Sequence, residues 1–341
     1  MANGHTHHQT DVVIVGAGPV GLFTVFECGM VRLSCHVVDV LDDVGGQCTA
    51  LYPEKPIYDI PGFPKVDAAE LIVRLRAQAA PFNPVYHLGE QVQALEPATG
   101  GFWRVTTSQG TVIQAKAVIV AAGVGAFGPN RPPLDGIEAY EGTSVFYYVT
   151  QRELFRGKRV VIAGGGDTAV DWALSLAEVA SHVSVIHRRD KFRAAPESEA
   201  RLKALAQAGK IDLVVPYQLQ GLEGANGQIT SVIVSSLDGG TRKIAADVLL
   251  PFFGLSMSLG PIADWGLALE RSQIAVDPAT LAASKRGLFA VGDVVTYPGK
   301  LKLILTGFAE AAIAARSAYS LIHPETPLHF EYSTTAGVPD A

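Results

Sequence analysis

The sequence has only three cysteines among its 341 residues, Cys28, Cys35 and Cys48. They form no C-x-x-C motif and no set of paired spacings, so the sequence predicts neither a disulfide framework nor a resident metal site. Free cysteines in this number are typical of a reducing compartment, and we therefore expect a cytoplasmic protein.

Long hydrophobic runs are also absent: no apolar stretch reaches the roughly 18 residues that a membrane-spanning helix needs. Residues 1–9 lack the basic and apolar pattern of a targeting peptide, and we expect a disordered tail there. His5, His7 and His8 in this tail could bind adventitious metal, which is the less favoured interpretation. The net charge of −6 does not indicate nucleic-acid binding, and the 48% hydrophobic content predicts large buried sheets in about two domains.

A strand followed by a glycine turn stands near the start of the chain. The apolar, mostly β-branched residues 12–15 predict a buried parallel strand, and Gly16, Gly18, Pro19 and Gly21 form the G-x-G-x-x-G turn after it. In such a turn the first glycine allows the tight bend, the second lets backbone approach a pyrophosphate, and the third lets the following helix pack closely. The motif predicts a dinucleotide site; a glycine turn in another α/β fold is the alternative.

The residues after this turn support the dinucleotide interpretation. A second predicted strand, 35–38, ends at Asp39, where an acid hydrogen-bonds the adenosine ribose of a bound dinucleotide. The segment 51–64 is too rich in proline for a regular helix. We expect it to form a ligand wall, with a packed surface loop as the alternative.

The strand and glycine turn then recur. A predicted strand at 159–163 leads into Gly164, Gly166, Asp167 and Thr168, with alanine at the third glycine position, which this motif accepts. The recurrence predicts a second dinucleotide site with its phosphates at a helix N-terminus.

A basic run occupies the place of the first motif's acid. His187 follows Gly164 by the same interval as Asp39 follows Gly16, and Arg188, Arg189 and Arg193 come next. Arginine binds a 2′-phosphate, which an acid would repel, so the second site is predicted to take NADP. A solvated surface cluster is the alternative.

The remaining predicted strands and helices also favour an α/β fold. Meanders are predicted at 102–113 and 228–250, a last buried strand at 287–292 ends at Asp293, and a helix follows at 306–322. Gly/Pro-rich breaks suggest that 129–251 is a domain inserted between 1–128 and 252–341. We therefore predict two Rossmann-like, three-layer ββα dinucleotide-binding domains, the second inserted into the first.

Four motifs carry a resemblance to a known family: GGQ at 45–47, LYPEK at 51–55, GGGDTAVDWA at 164–173 and HRRDKFRA at 187–194. With them, the chain resembles the two-dinucleotide-binding-domain flavoproteins and, within these, the thioredoxin-reductase-like ferredoxin–NADP reductases. In thioredoxin reductases a C-x-x-C dithiol precedes the second glycine motif. The corresponding residues here, 145–151, contain no cysteine.

The resemblance implies FAD in the first domain and NADPH in the second. By it, Asp39 holds the adenosine ribose, Val92 meets the adenine through its backbone, and Gln47 and Asp293 contact the ribityl-phosphate part. The flavin supplies the chemistry, so no catalytic acid or base is expected.

The resemblance also implies which residues surround the isoalloxazine ring. Tyr52 is expected to stack on one face of the ring, with Phe127 and Thr334 close by. Tyr332 would cover the opposite face, where close relatives often have histidine.

The implied activity is electron transfer between NADPH and ferredoxin or flavodoxin by a homodimer. Two other functions stay open at this stage. One is a thiol reductase that uses an unusual cysteine, with Cys48 nearest to the flavin motifs in sequence. The other is a non-enzymatic flavoprotein that senses NADPH.

Overall fold

The computed structural model describes residues 7–328 together with residues 335, 337 and 338, and for 126–127 and 255–257 it describes the backbone alone. The chain forms two compact units. Unit 1 combines Met1–Phe127 with Met257–Ala341, and unit 2 is Gly128–Ser256. The prediction from sequence had placed the changes at 128/129 and 251/252.

The first segment of unit 1 contains helices α1 (Pro19–Met30), α2 (Gln47–Ala50) and α3 (Ala68–Ala79), and the strands β1 (His7–Val15), β2 (Cys35–Asp39), β3 (Pro56–Ile57), β4 (Val66–Asp67), β5 (Val85–Leu88), β6 (Val92–Pro97), β7 (Trp103–Thr107) and β8 (Val112–Val120). Strand β9 (Ala126–Pro129) begins in this segment and ends in unit 2.

Unit 2 follows with helices α4 (Asp167–Leu176) and α5 (Pro196–Gln207), and the strands β10 (Arg159–Ala163), β11 (His182–Ile186), β12 (Ile211–Val214), β13 (Gln218–Ala225), β14 (Gln228–Ser235), β15 (Thr241–Ala245) and β16 (Val248–Pro251).

The chain then returns to unit 1 through β17 (Leu255–Ser258), β18 (Leu269–Glu270), β19 (Gln273–Ala275), β20 (Leu288–Ala290) and β21 (Val295–Thr296), and its last described helix is α6 (Ile304–Ile322).

The main sheet of unit 1 has the strand order β5-β2-β1-β8-β7-β6, and β20 also pairs with β8. The strands β5, β2, β1, β8 and β20 run parallel, whereas β8, β7 and β6 form an antiparallel meander. The long strand β8 therefore belongs to both parts of the sheet. The carboxyl ends of the parallel strands meet at one edge, which is where ligands bind in open α/β sheets.

The two faces of this sheet bury different partners. Val12 and Ile14 of β1 are fully buried with apolar residues of α1, α3 and α6. Val13 and Val15 point to the other face, where they pack with the meander and with Trp265. Because side chains are buried on both faces of the sheet, residues 12–15 of this strand are all apolar. Among the described residues, no helix combines the length and the apolar character that crossing a membrane requires.

The expected disorder of residues 1–9 is wrong for His7, His8 and Gln9, which form the start of β1. They pair in parallel register with Val112, Ile113 and Gln114 of β8. The length of β8 provides these backbone partners, and the ring of His8 packs 5.1 Å from those of His36 and His87. Residues 1–6 lie outside the described residues.

Unit 2 has the three layers that the sequence predicted. A parallel sheet of order β12-β11-β10-β16 packs α4 and α5 on one face and the antiparallel sheet β13-β14-β15 on the other. Val160 and Ile162 of β10 face the helices, while Val161 faces the second sheet.

The predicted meander at 228–250 is wrong in its last strand. Residues 248–251 form β16, which pairs in parallel with β10. The antiparallel sheet does contain the predicted pair of β14 and β15, but its third strand is β13, which the sequence pattern did not reveal. The reason is burial: Val248, Leu249 and Leu250 are all fully buried, as expected of an interior strand covered on both faces.

The histidine cluster of β1, β2 and β5 predicts an acid-sensitive fold. His36 is buried, its Nδ1 lies 2.9 Å from Nε2 of His87, and burial, His87 and His8 lower the pKa of His36 to about 4. Since an unfolded histidine has a pKa of about 6.5, the unfolded chain binds more protons below that pH. Stability should be complete above pH 6.5 and fall towards pH 4, by up to about 3 kcal/mol from this group.

Urea unfolding at pH 7 and pH 5 measures this effect. The variant His36→Gln should lose less stability between the two pH values than the wild type does. His182→Gln, at an exposed position of β11, is the matched control and should behave as wild type. Equal pH dependence in all three proteins would contradict the assignment.

Candidate functional site

Unit 1 contains a cleft at the carboxyl ends of its parallel strands. The sequence-predicted residues that line it are Gly16, Gly18, Pro19, Asp39, Gln47, Tyr52, Val92 and Asp293. They come from the turn after β1, the end of β2, helix α2, the start of β6 and the turn after β20. The fold thus brings together residues that are far apart in the sequence.

The glycine turn after β1 has little room for side chains. Gly16 has a φ of +112° and donates its N–H to the carbonyl of Val38 at 2.8 Å, while a Cβ at this position would overlap the backbone of Ala121. A Cβ on Gly21 would overlap the carbonyl oxygen of Gly16. Helix α1 therefore packs directly on the turn, and its N-terminal N–H groups end at the cleft.

Gly18 is the exception within this turn. A Cβ there would meet no protein atom within 4 Å, and Gly18 occupies the N-cap of α1 with extended backbone. The bare Cα therefore borders open space at a helix N-terminus, where an anion is favoured.

The carboxylate of Asp39 is held at the same helix end. Its Oδ2 accepts the N–H of Ala17 at 2.6 Å, and its Oδ1 accepts the N–H of Leu41 at 2.9 Å. Burial raises the pKa of Asp39, although these hydrogen bonds and that of Val40 oppose the shift. Each oxygen keeps acceptor capacity for a ligand hydroxyl.

The cleft is also lined by the buried Cys48 and by the half-buried Tyr52 and Asp293. The hydroxyl of Tyr52 donates to Oε1 of Gln47 at 3.4 Å. Burial raises the pKa of Tyr52, of Asp293 and of Cys48, the last to about 12. Cys48 is therefore a neutral thiol at physiological pH and not a nucleophilic thiolate.

The second glycine turn lies in unit 2, between β10 and α4. Gly164 donates its N–H to the carbonyl of Ile186 at 3.0 Å, and a Cβ on it would lie 2.7 Å from the carbonyl oxygen of Phe252. Gly166 is the N-cap of α4, and a Cβ there would meet nothing within 4 Å. As at Gly18, bare backbone borders open space at a helix N-terminus.

The basic loop after β11 is fastened to this turn. Arg193 donates its N–H to the carbonyl of Gly165 at 2.6 Å, and Ala195 donates its N–H to Oδ1 of Asp167 at 2.9 Å. The ring of His187 lies against Gly165, where a Cβ would overlap it. The side chain of Asp167 thus anchors the loop, while Thr168 is exposed in the first turn of α4.

The arginines of this loop face solvent. Arg188, Arg189 and Arg193 are exposed, and within the described part of the chain none of them forms an ion pair. Burial lowers the pKa of His187, and the nearby arginines lower it further, which favours the neutral ring. Three unpaired guanidinium groups beside a helix N-terminus form a site suited to a phosphate ester.

Three predicted residues near the flavin remain untested. Tyr332 and Thr334 lie outside the described residues, and Phe127 is described only by its backbone, in β9. Their proposed positions around the isoalloxazine ring therefore stay predictions.

Sequence reasoning missed part of the cleft and one contact between thiols. Glu90, Gln91 and Ile262 also line the cleft; the first two adjoin Val92, but Ile262 lies beyond the inserted unit and belongs to no motif. The thiol of Cys35 donates to the carbonyl of Leu33 at 3.7 Å, and the neighbouring thiol of Cys28 together with burial raises the Cys35 pKa. The two thiols come from β2 and α1, which no local spacing pattern could have brought together.

Comparison with known proteins places these features in a family context. Residues 10–318 match the family described as pyridine nucleotide-disulphide oxidoreductase. A ferredoxin–NADP reductase of Paramagnetospirillum magneticum is 65% identical over 332 residues, 97% of this chain and 98% of that protein. The protein of the same name from Rhodospirillum rubrum is 64% identical over 334 residues, 97% of each chain.

Solved structures of thioredoxin reductases share the fold. The Lactococcus lactis enzyme has a TM-score of 0.79 at 25% identity, covering 92% of this chain and 99% of its own. The T. acidophilum enzyme has a TM-score of 0.79 at 26% identity, covering 92% of this chain and 98% of its own. These matches confirm the predicted α/β architecture with two Rossmann-like units.

The two glycines of the first turn give a matched test of the site geometry. Gly21→Ala should cost about 1–3 kcal/mol of unfolding free energy, because its methyl group overlaps the Gly16 carbonyl. Gly18→Ala should cost below about 1 kcal/mol, since it changes only an N-cap residue, but should weaken retention of a dinucleotide in the cleft. Chemical denaturation measures the stability and the absorbance of copurified ligand measures the retention, and equal destabilisation would contradict the distinction between the two glycines.

Proposed function

Because this chain belongs to the pyridine nucleotide-disulphide oxidoreductase family, we propose that it is an FAD-dependent enzyme that transfers electrons between NADPH and a ferredoxin or flavodoxin. One observation carries the proposal. The chain has two strand–glycine–helix units, and the second strand of the first ends in an acid whereas that of the second continues into a basic loop.

The cleft of unit 1 fits FAD. Open space at Gly18 lies against the N-terminus of α1, where a pyrophosphate would be stabilised by unpaired N–H groups. Asp39 stands beside it with acceptor capacity for the ribose of an adenosine. An FMN molecule would leave this end of the cleft empty, so the arrangement supports a dinucleotide.

The loop of unit 2 fits NADPH. Gly166 offers open backbone at the N-terminus of α4, and the anchored loop presents Arg188, Arg189 and Arg193 next to it. Guanidinium groups bind a 2′-phosphate in a bidentate manner, which supports NADPH over NADH. His187, held neutral against Gly165, would give the adenosine end a flat ring surface.

When bound, the flavin supplies hydride acceptance and single-electron release, and the chain contributes position and charge. The residues of unit 1 that line the cleft would orient the flavin and exclude water from it. No side chain is assigned as a catalytic acid or base.

The thiols of the chain argue against a dithiol mechanism. Cys28 and Cys35 are in contact but lie in the core of unit 1, and Cys48 is buried with a raised pKa. A thiol–disulfide exchange needs an accessible thiolate, which none of the three provides. Electrons are therefore proposed to leave the flavin directly for a one-electron carrier, as the names of the ferredoxin–NADP reductase relatives suggest. By the same resemblance we propose a homodimer, and the reduced thiols fit a cytoplasmic location.

The cofactor preference can be tested at the basic loop. Each charge-assisted contact contributes about 1.5–3 kcal/mol, so two contacts give a preference for NADPH over NADH on the order of 10²–10⁴. The double variant Arg188→Ala/Arg189→Ala should lose this preference and leave kcat/KM for NADH nearly unchanged. The control Arg201→Ala/Lys210→Ala removes equal charge from exposed positions of the same unit and should keep it. Equal losses with both nucleotides would assign the arginines to folding instead.

Turnover with a carrier separates the candidate functions. NADPH-dependent cytochrome c reduction should rise strongly when ferredoxin is added, whereas a protein that only senses NADPH would show no sustained turnover. The variant Cys28→Ala/Cys35→Val/Cys48→Ala removes all three thiols of the chain. It should retain ferredoxin-dependent turnover within a few-fold, and loss of turnover with FAD still bound would revive the thiol-reductase function.

A further inference from the structure

A buried ion pair lies behind the turn that carries Asp293. The ammonium group of Lys300 donates to Oε1 of Glu310, and the two side chains are only 5% and 3% exposed. Burial of two charges is expensive, and such a pair persists only when further hydrogen bonds satisfy it. The other hydrogen bonds of Glu310 show which segments of the chain the pair fastens together.

Glu310 connects helix α6 to the preceding loop. Its Oε2 accepts the N–H of Gly292 at 2.7 Å, and its Oε1 also accepts the hydroxyl of Tyr297 at 2.6 Å. Gly292 has a φ of +81°, so the backbone immediately before Asp293 is bent sharply and fixed by this carboxylate. One side chain thus fastens the turn after β20 and the loop that leads to α6.

The pair also adjoins the cleft. Gly292, Asp293 and Ile304, the first residue of α6, all line it. Burial raises the pKa of the Asp293 carboxyl, the positive charges of Lys300 and Lys302 lower it, and Glu310 raises it. The charges of Lys300 and Glu310 therefore act in opposite directions on Asp293, which lines the cleft.

We propose that Glu310 and Lys300 are positioning residues whose opposite charges balance each other's effect on the reduction potential of the flavin. Glu310 fixes the Gly292–Asp293 turn, and its charge cancels that of Lys300 next to the cofactor. The inference rests on the proposed function, because it requires a flavin in this cleft.

The sign of each effect follows from electrostatics. Reduction adds electrons to the flavin, so an additional positive charge nearby favours the reduced form and a negative charge disfavours it. Removing the charge of Glu310 leaves Lys300 uncompensated, whereas removing that of Lys300 leaves Glu310 uncompensated. In a buried setting such charges are screened little by salt.

The test compares Glu310→Gln, Lys300→Met and the double variant, each purified with its bound flavin and equilibrated with a reference redox dye. Glu310→Gln keeps a carbonyl oxygen to accept the Gly292 N–H and should shift the two-electron reduction equilibrium about tenfold towards reduced flavin, or about 30 mV. Lys300→Met should shift it about tenfold the other way, and the double variant should return to within about threefold of wild type.

Glu70→Gln is the matched control, because Glu70 forms an exposed ion pair with Arg74 in the same unit and should leave the potential unchanged. Shifts of the same sign in both single variants, or no shift in either, would overturn the inference. If Glu310→Gln does not fold, Lys300→Met and the double variant still decide the sign. A wild-type protein without flavin would instead refute the proposed function itself.

Discussion

The close approach of helix α1 to the turn after β1 is the constraint on which the site depends. Gly21 lies so near the carbonyl of Gly16 that no side chain fits between them. This contact directs the N-terminal N–H groups of α1 into the cleft and leaves Gly18 as the residue that borders open space. Asp39 at the end of β2 then completes the same corner through its bond to Ala17. The open space at Gly18 and the carboxylate of Asp39 are thus brought together by one helix–turn contact.

In unit 2, helix α4 also lies against the glycine turn that precedes it, but the helix and the turn approach each other less closely than in unit 1. Ala169 replaces the third glycine, and a Cβ on Gly164 would lie 2.9 Å from its methyl group. The loop after β11, rather than an acid, closes the site, held by bonds to Gly165 and to Asp167. An acid at the start of α4 would by itself oppose an anion there. The carboxylate of Asp167 accepts the N–H of Ala195, so its role at this position is to anchor the loop.

The sequence pattern was sufficient to predict those elements whose structure depends on residues close together in the chain. The glycine turns, the strands β1, β2, β10 and β11, and the helix at 304–322 could be predicted because each has a strong period or a turn residue. The sequence failed where pairing is decided by distant segments. β16 joins a parallel sheet although it follows β15 closely, and His7–Gln9 become a strand only because β8 extends far enough to pair with them.

The same limit applies to the site. Residues of the glycine motifs were predicted because the motif itself encodes their geometry. Ile262 reaches the cleft only after the chain has returned from unit 2, and the contact of Cys28 with Cys35 depends on how α1 packs on β2. Glu310 shows the limit most clearly, because it lies within an alanine-rich helix whose pattern predicts only packing, yet it binds backbone at Gly292.

This division has a physical consequence for the proposed redox function. A motif can specify where a cofactor's phosphates and ribose bind, because these contacts use backbone and one or two side chains close in sequence. The potential of a flavin depends on every charge near it, and a buried charge acts over a longer range than one in water. The buried charges adjoining the cleft here, Lys300 and Glu310, come from a loop and a helix outside the glycine motifs. In the proposed enzyme, the motif would therefore preserve cofactor binding, while residues outside the motif would adjust electron transfer.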